Sequence, residues 1–161
     1  MPGIRSLLVV TYDGAEARIE LLDEVARAAD ALAVALAALG EAYEQLDETN
    51  ADRLEAELFA PVQAAYGRVR RTHAGFSQRI GIAPASFAPA TPGHPSQGVA
   101  GFVAAALDGI AAADLVLSDL QDSMRLVDVG DSELRGGLAE VRRLLAELPA
   151  RARAFQRTLG R

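Results

Sequence analysis

Apolar residues recur along this chain in alternating steps of three and four over four separate segments, and nowhere persist in steps of two. In the first segment Leu22, Val25, Ala29, Leu32, Leu36, Leu39, Tyr43 and Leu46 hold that spacing throughout. The third runs through Val99, Val103, Ala106, Ile110, Ala113, Leu117, Leu120, Met124 and Val127, and the fourth through Leu134, Leu138, Val141, Leu145, Leu148, Ala152, Phe155 and Leu159. Steps averaging about 3.5 residues return each side chain to one side of a helix, so all three segments are predicted to be helices packing along a seam.

The second segment is less regular. Val62, Ala65, Val69, Thr72 and Phe76 keep the seam and Ile80 closes it, but Leu54 and Leu58 fall out of phase by about one residue. Pro61 lies between the two stretches, where a missing N–H and a ring clash kink a helix. Pro149 is expected to bend the fourth helix in the same way.

Helices are thus predicted over residues 14–47, 51–81, 97–128 and 132–159. Asp47-Glu48-Thr49-Asn50 and Gly130-Asp131-Ser132-Glu133 supply turns and N-caps. Both connections are short, so each pair forms an antiparallel αα-hairpin. Between the pairs, residues 83–96 hold Pro84, Pro89, Pro92 and Pro95 among small side chains and are read as a mobile, non-helical loop. The expected fold is all-α, a single domain over residues 1–161: an antiparallel up-down-up-down four-helix bundle of two long αα-hairpins joined by a Pro-rich loop.

Composition fits one domain of 161 residues, half of them apolar but only 5% aromatic, so the core must be thin and closely packed. Net charge is −6 and the pI near 4.9, which argues against nucleic acid as a partner. All 16 basic residues are Arg; with abundant Ala, that suggests GC-rich bacterial coding. The apolar run Leu7–Val10 is too short for a signal segment. The low-charge stretch 98–118 carries Asp108 and Asp114, each costing about 2.5–3.5 kcal/mol near a bilayer centre. A cytoplasmic location is therefore expected.

Candidate chemistry is sparse. There is no Cys, which removes thiolate metal sites and cysteine nucleophiles. No Glu-x-x-His, of the kind that metal-carboxylate bundles project inward, occurs, and neither does a glycine-rich nucleotide loop. His73 sits beside the seam and is read as a partly covered boundary residue; His94 lies in the Pro-rich loop. No catalytic, cofactor-binding or metal-ligating residues are assigned, and an enzyme is not expected. Gly98, Gly101, Ala105, Gly109 and Ala113 place small residues along helix three, which allows close helix packing.

Two features exceed what a bundle needs. The seam assignment turns Ala31, Val34, Ala37 and Ala38 outward on helix one, and Ala104, Ala111, Ala112 and Leu115 outward on helix three. Such faces suggest a cover: a second copy, a helical partner, or residues 4–12 folded back, although exposed Ala also simply favours helix. Charge is also uneven. Up-down-up-down threading gathers the acids of residues 41–57 and 119–133 at one end. It gathers Arg68, Arg70, Arg71, Arg79, Arg151, Arg153 and Arg157 into a basic opposite end. The expected function is a non-catalytic interaction module that self-associates or docks a helical protein partner. The alternative is a membrane-acting bundle of the cell-death or pore-forming kind, an analogy of architecture only.

Overall fold

The computed structural model describes the backbone of residues 2–160 and the side chains of residues 14–94 and 96–160. Among the described residues every regular element is helical, as the three-and-four spacing requires. The elements are α1 (Pro2–Glu44), α2 (Glu48–Leu54), a π-helical turn (Glu55–Phe59), α3 (Ala60–Arg79), a 3-10 turn (Pro95–Gln97), α4 (Gly98–Asp122), α5 (Met124–Val129), α6 (Ser132–Leu145) and α7 (Leu148–Leu159). They pack around one continuous apolar core. Residues 4–12 continue α1 instead of folding back as a separate segment.

The π-helical turn explains why Leu54 and Leu58 looked out of phase. Pro61 has no N–H to give and its ring crowds the carbonyl four residues earlier. The ladder relaxes there: the Ala60 N–H donates to the Glu55 carbonyl, five residues back. One extra residue in that turn rotates the preceding stretch, so Leu54, Leu58 and Val62 are all buried. Pro149 acts as expected, with α6 ending at Leu145 and α7 restarting at Leu148 with Pro149 in its first turn. A break that the spacing did not predict falls at Ser123, whose extended backbone ends α4 and whose hydroxyl accepts the Arg125 N–H to cap α5.

The starts of α2 and α6 are capped as their residues dictate. Asp47 accepts the Asn50 N–H at 3.3 Å and opens α2 three residues earlier than expected. Asp131 accepts the Leu134 N–H at 2.7 Å and opens α6. The end of α3 closes on Gly81, at φ 75°. There the Ile82 N–H reaches the Ser77 carbonyl and the Gly81 N–H the Gln78 carbonyl, a paired closure that needs a left-handed residue.

Helix direction departs from the expected threading. Gly109 of α4 lies against Ala31 and Ala35 of α1, while Arg125, just past α4, bonds Glu20 and Glu24 of α1. Rising numbers on α4 meet falling numbers on α1, so the two are antiparallel. Likewise Gly137 meets Thr72, and Asp131 meets Arg79, making α6 antiparallel to α3. The order is therefore up-down-down-up, with α4 starting at the end where α1 stops; the up-down-up-down threading is corrected. Residues 80–97 must then run back along the molecule. Four prolines keep that stretch extended, and at roughly 3.1 Å per residue it spans about 50 Å, beyond the ~30 Å of α3.

The buried stripe on α1 is broader than one seam. Leu22, Val25, Ala29, Leu32 and Leu39 are buried as expected, and Leu21, Ala28, Ala35 and Ala42 are buried beside them. Leu36 and Leu46 are only half-buried and Tyr43 is exposed. The cause is that α1 packs against both α3 and α4. Toward α4 the contact is made by small residues: a Cβ on Gly109 would sit 2.8 Å from the Ala31 carbonyl oxygen and 3.2 Å from the Ala35 Cβ. The expectation that small residues on helix three permit close approach holds at this crossing.

Candidate functional site

The predicted outward residues divide. Val34 (45% exposed) and Leu115 (63% exposed) face solvent, and Ala104, Ala111 and Ala112 are exposed beside Leu115 on α4. Ala38 is in the core, a correction that follows from the close α1–α4 crossing. Ala31 is half-buried at the same crossing. Ala37 is half-buried for another reason: with Leu36 and Tyr66 it lines a groove between α1 and α3 that the 80–97 crossover runs over.

Beyond Ile80 and Ile82, which continue the core at its start, that crossover is seated by one side chain. Phe87 is the single large apolar residue between Ala83 and Gln97, and it packs edge-on against the His73 ring, with centroids 5.3 Å apart. The Arg70 guanidinium stacks over Phe87 at 5.6 Å and over Tyr66 at 5.4 Å. The segment read as a mobile loop is thus a strap with an aromatic anchor, and the signal that could have shown it was a lone Phe among Ala, Pro and Ser.

His73 is correspondingly more enclosed than a boundary residue, at 4% exposure. Burial pushes its imidazole below the ordinary range, opposed by a hydrogen bond to the Leu22 backbone and by the charge of Asp23. Its Nδ1 and the Ser77 hydroxyl are buried without hydrogen-bond partners. His94 stays in solvent, its Nδ1 2.7 Å from Ser96 Oγ.

The seven arginines expected at one basic end are not brought together, because the threading on which that grouping rested is reversed for the second hairpin. Arg68, Arg70, Arg71 and Arg79 lie on α3. Arg151, Arg153 and Arg157 lie on α7, toward the opposite end, where Arg53 of α2 stacks on Phe155. Arg151 pairs with Glu147 within its own helix. The acids of residues 119–133 likewise part from those of residues 41–57 and come to the Arg79 end.

Arginines that bridge neighbouring helices follow one habit. Arg79 holds Asp131 at 2.6 Å and Glu133 at 2.8 Å; Arg125 holds Glu20 at 2.7 Å and Glu24 at 2.8 Å; Arg142 holds Asp114 at 2.9 Å. The Arg79 guanidinium beside Asp131 holds that carboxyl below the ordinary carboxylate range. Arg68 and Arg71 break the habit. They border an open trough of about 600 Å³ along the α3–α6 seam, floored partly by Gly67 and Gly136. The acid lining it, Glu140, is paired with Arg143 at 2.6 Å, which with the charge of Arg68 lowers its carboxyl, and Glu133, beside the next stretch of the seam, is paired with Arg79. Sequence reasoning gathered Arg68 and Arg71 into a larger cluster and missed the trough; glycine four residues before Arg71, and Gly136-Gly137 on the facing helix, were its available signal.

Among the described residues no group of three His, Asp or Glu is arranged to hold a metal ion. The helix α4 is the one described helix long and apolar enough to cross a membrane, with mean hydropathy 1.8, and only 33% of that apolar window is buried. Comparison of the chain with protein-family models, with curated proteins and with solved structures finds no match.

Proposed function

We propose that this chain is a non-catalytic helical interaction module, an antiparallel four-helix bundle with one long crossover. It self-associates or docks a helical protein through the outward faces of its first and third long helices. One observation carries the reading: α4, the most apolar long helix, buries Phe102, Val103, Ile110, Leu117 and Leu120 on one side and leaves Leu115 63% exposed on the other. A core helix of that hydropathy ordinarily spends its apolar surface inside. Here Ala104, Ala111, Ala112 and Leu115 are left in water, with Val34 exposed on the neighbouring α1. Burying a Leu is worth about 1.5–3 kcal/mol, so a contact centred on Leu115 and rimmed by Ala suits a helix laid alongside α4 at short range.

The test is solution mass by sedimentation velocity, with Leu115→Asp and Val34→Asp beside the native protein. Either charge, placed in an apolar contact without a partner, should dissociate the assembly while leaving helicity intact. A strict monomer that captures no helical protein would overturn the reading.

The same observation supports a second reading, a bundle that acts at membranes by exposing α4 to lipid. Flotation with anionic vesicles tests it: co-migration with leakage supports it, and protein left in the aqueous fraction removes it.

A further inference from the structure

From the trough between α3 and α6 we infer that Arg68 and Arg71 form a binding site for a phosphate group, free or carried as a monoester. The seam shares no helix with the α1–α4 pair, so the inference stands apart from the docking proposal.

Three observations point the same way. Arg79, Arg125 and Arg142 each meet a carboxylate on a second element, whereas α6 opposes Arg68 and Arg71 with Gly136, Gly137 and two acids already paired elsewhere, Glu133 with Arg79 and Glu140 with Arg143. The Nε of Arg68 is buried and has no hydrogen-bond partner, and a guanidinium nitrogen taken from water unpaired costs free energy. The Arg71 guanidinium is folded back onto its own helix. A Cβ on Gly67 would stand 3.2 Å from Arg71 Nη1, so the missing side chain is what lets that charge lie low beside the trough.

The two glycines facing this site differ in their reasons. Gly137 is demanded by packing, since a Cβ there would run into the Thr72 side chain. Gly136 is not: a Cβ there would meet nothing within 4 Å. Gly136 lines the trough together with Arg68 and Arg71, and with no side chain there the space stays open. Two planar forks of N–H donors, one helical turn apart, match the tetrahedral oxygens of phosphate. Past the guanidiniums the trough continues along Gln63, Ala64 and Leu144, which carry no charge and give an organic substituent somewhere to lie.

The experiment is thermal unfolding of the intact protein in inorganic phosphate and in sodium chloride at matched ionic strength. The variants are Arg68→Gln/Arg71→Gln, Gly136→Glu and, as a control on an exposed arginine of α7, Arg153→Gln. Gly136→Glu places a carboxylate into open space, so it should fold even if the double variant does not. The native protein and Arg153→Gln should melt several degrees higher in phosphate than in chloride, and the other two should show no difference. Binding of vesicles containing phosphatidic acid, lost in Gly136→Glu, would assign the phosphate to a lipid headgroup; a phosphate shift without vesicle binding would assign it to a soluble molecule. Equal melting of the native protein in both salts, or an undiminished phosphate shift in Gly136→Glu, would overturn the site.

Discussion

Arg125 reaches Glu24 across 101 positions of sequence, its Nη2 donating to Glu24 Oε1 at 2.8 Å. The contact joins the segment that follows α4 to the early part of α1, and it is possible only if α4 runs toward the start of α1. Had the chain threaded up-down-up-down, these two residues would lie at opposite ends of the molecule. A short bismaleimide linker should therefore join Glu24→Cys to Arg125→Cys within one chain, read by mass spectrometry, and should leave a Glu24→Cys/Arg53→Cys pair unjoined.

The close crossing of α1 and α4 makes a sharp prediction at Gly109. Alanine favours helix over glycine by up to about 1 kcal/mol, so Gly109→Ala would stabilise an open site. Here the added Cβ would sit 2.8 Å from a backbone oxygen, which cannot swing away as a side chain can. Overpacking costs about 1–3 kcal/mol, and it should win. A lowered urea midpoint is expected for Gly109→Ala, and a raised one for Gly40→Ala, where a Cβ meets nothing within 4 Å.

Phe87 anchors the crossover. Removing a half-buried ring should cost about 1 kcal/mol of stability, with the larger effect local. In Phe87→Ala, amide exchange should quicken at residues 82–90 and around His73, while α4 and α6 keep native protection. Unchanged exchange across residues 82–90 would show that the strap is held by something else.

His73 gives the pH dependence its sign. Burial lowers its folded-state pKa below the unfolded value of 6.5, so between those two values the unfolded chain binds more protons and stability rises with pH. Stability should be complete above about pH 6.5 and fall as the solution is acidified below it, by at most about 1.4 kcal/mol per pH unit for this one group. Melting from pH 7.5 down to pH 5 measures it. His73→Gln should flatten the curve near pH 6, and a native protein that gains stability on acidification through that range would contradict the assignment.

What the sequence disclosed and what it hid divide along physical lines. Helix existence was legible because burial on one side writes a three-and-four rhythm into residues such as Leu134, Leu138, Val141 and Leu145. The kinks at Pro61 and Pro149 were legible because proline acts on its own backbone. Direction of the second hairpin was not, because residues 80–97 are long enough to turn back or to cross the molecule, and only tertiary contacts such as Arg125–Glu24 decide between the two. That ambiguity carried into the site: residues on a single helix, such as Leu115 and Val34, were placed correctly, whereas a basic end assembled from α3 and α7 depended on the threading and dissolved with it. Ala38 was misplaced because a single seam underestimates the face of a helix with two neighbours.

If the outward face of α4 is a contact surface, sedimentation velocity of the native protein against Leu115→Asp will show it. The native chain should sediment, alone or with a helical partner, as an assembly larger than 16.9 kDa, and the variant, equally helical by circular dichroism, at the monomer mass. Identical monomer masses for both proteins, together with no helical protein captured by the native chain, would overturn that reading.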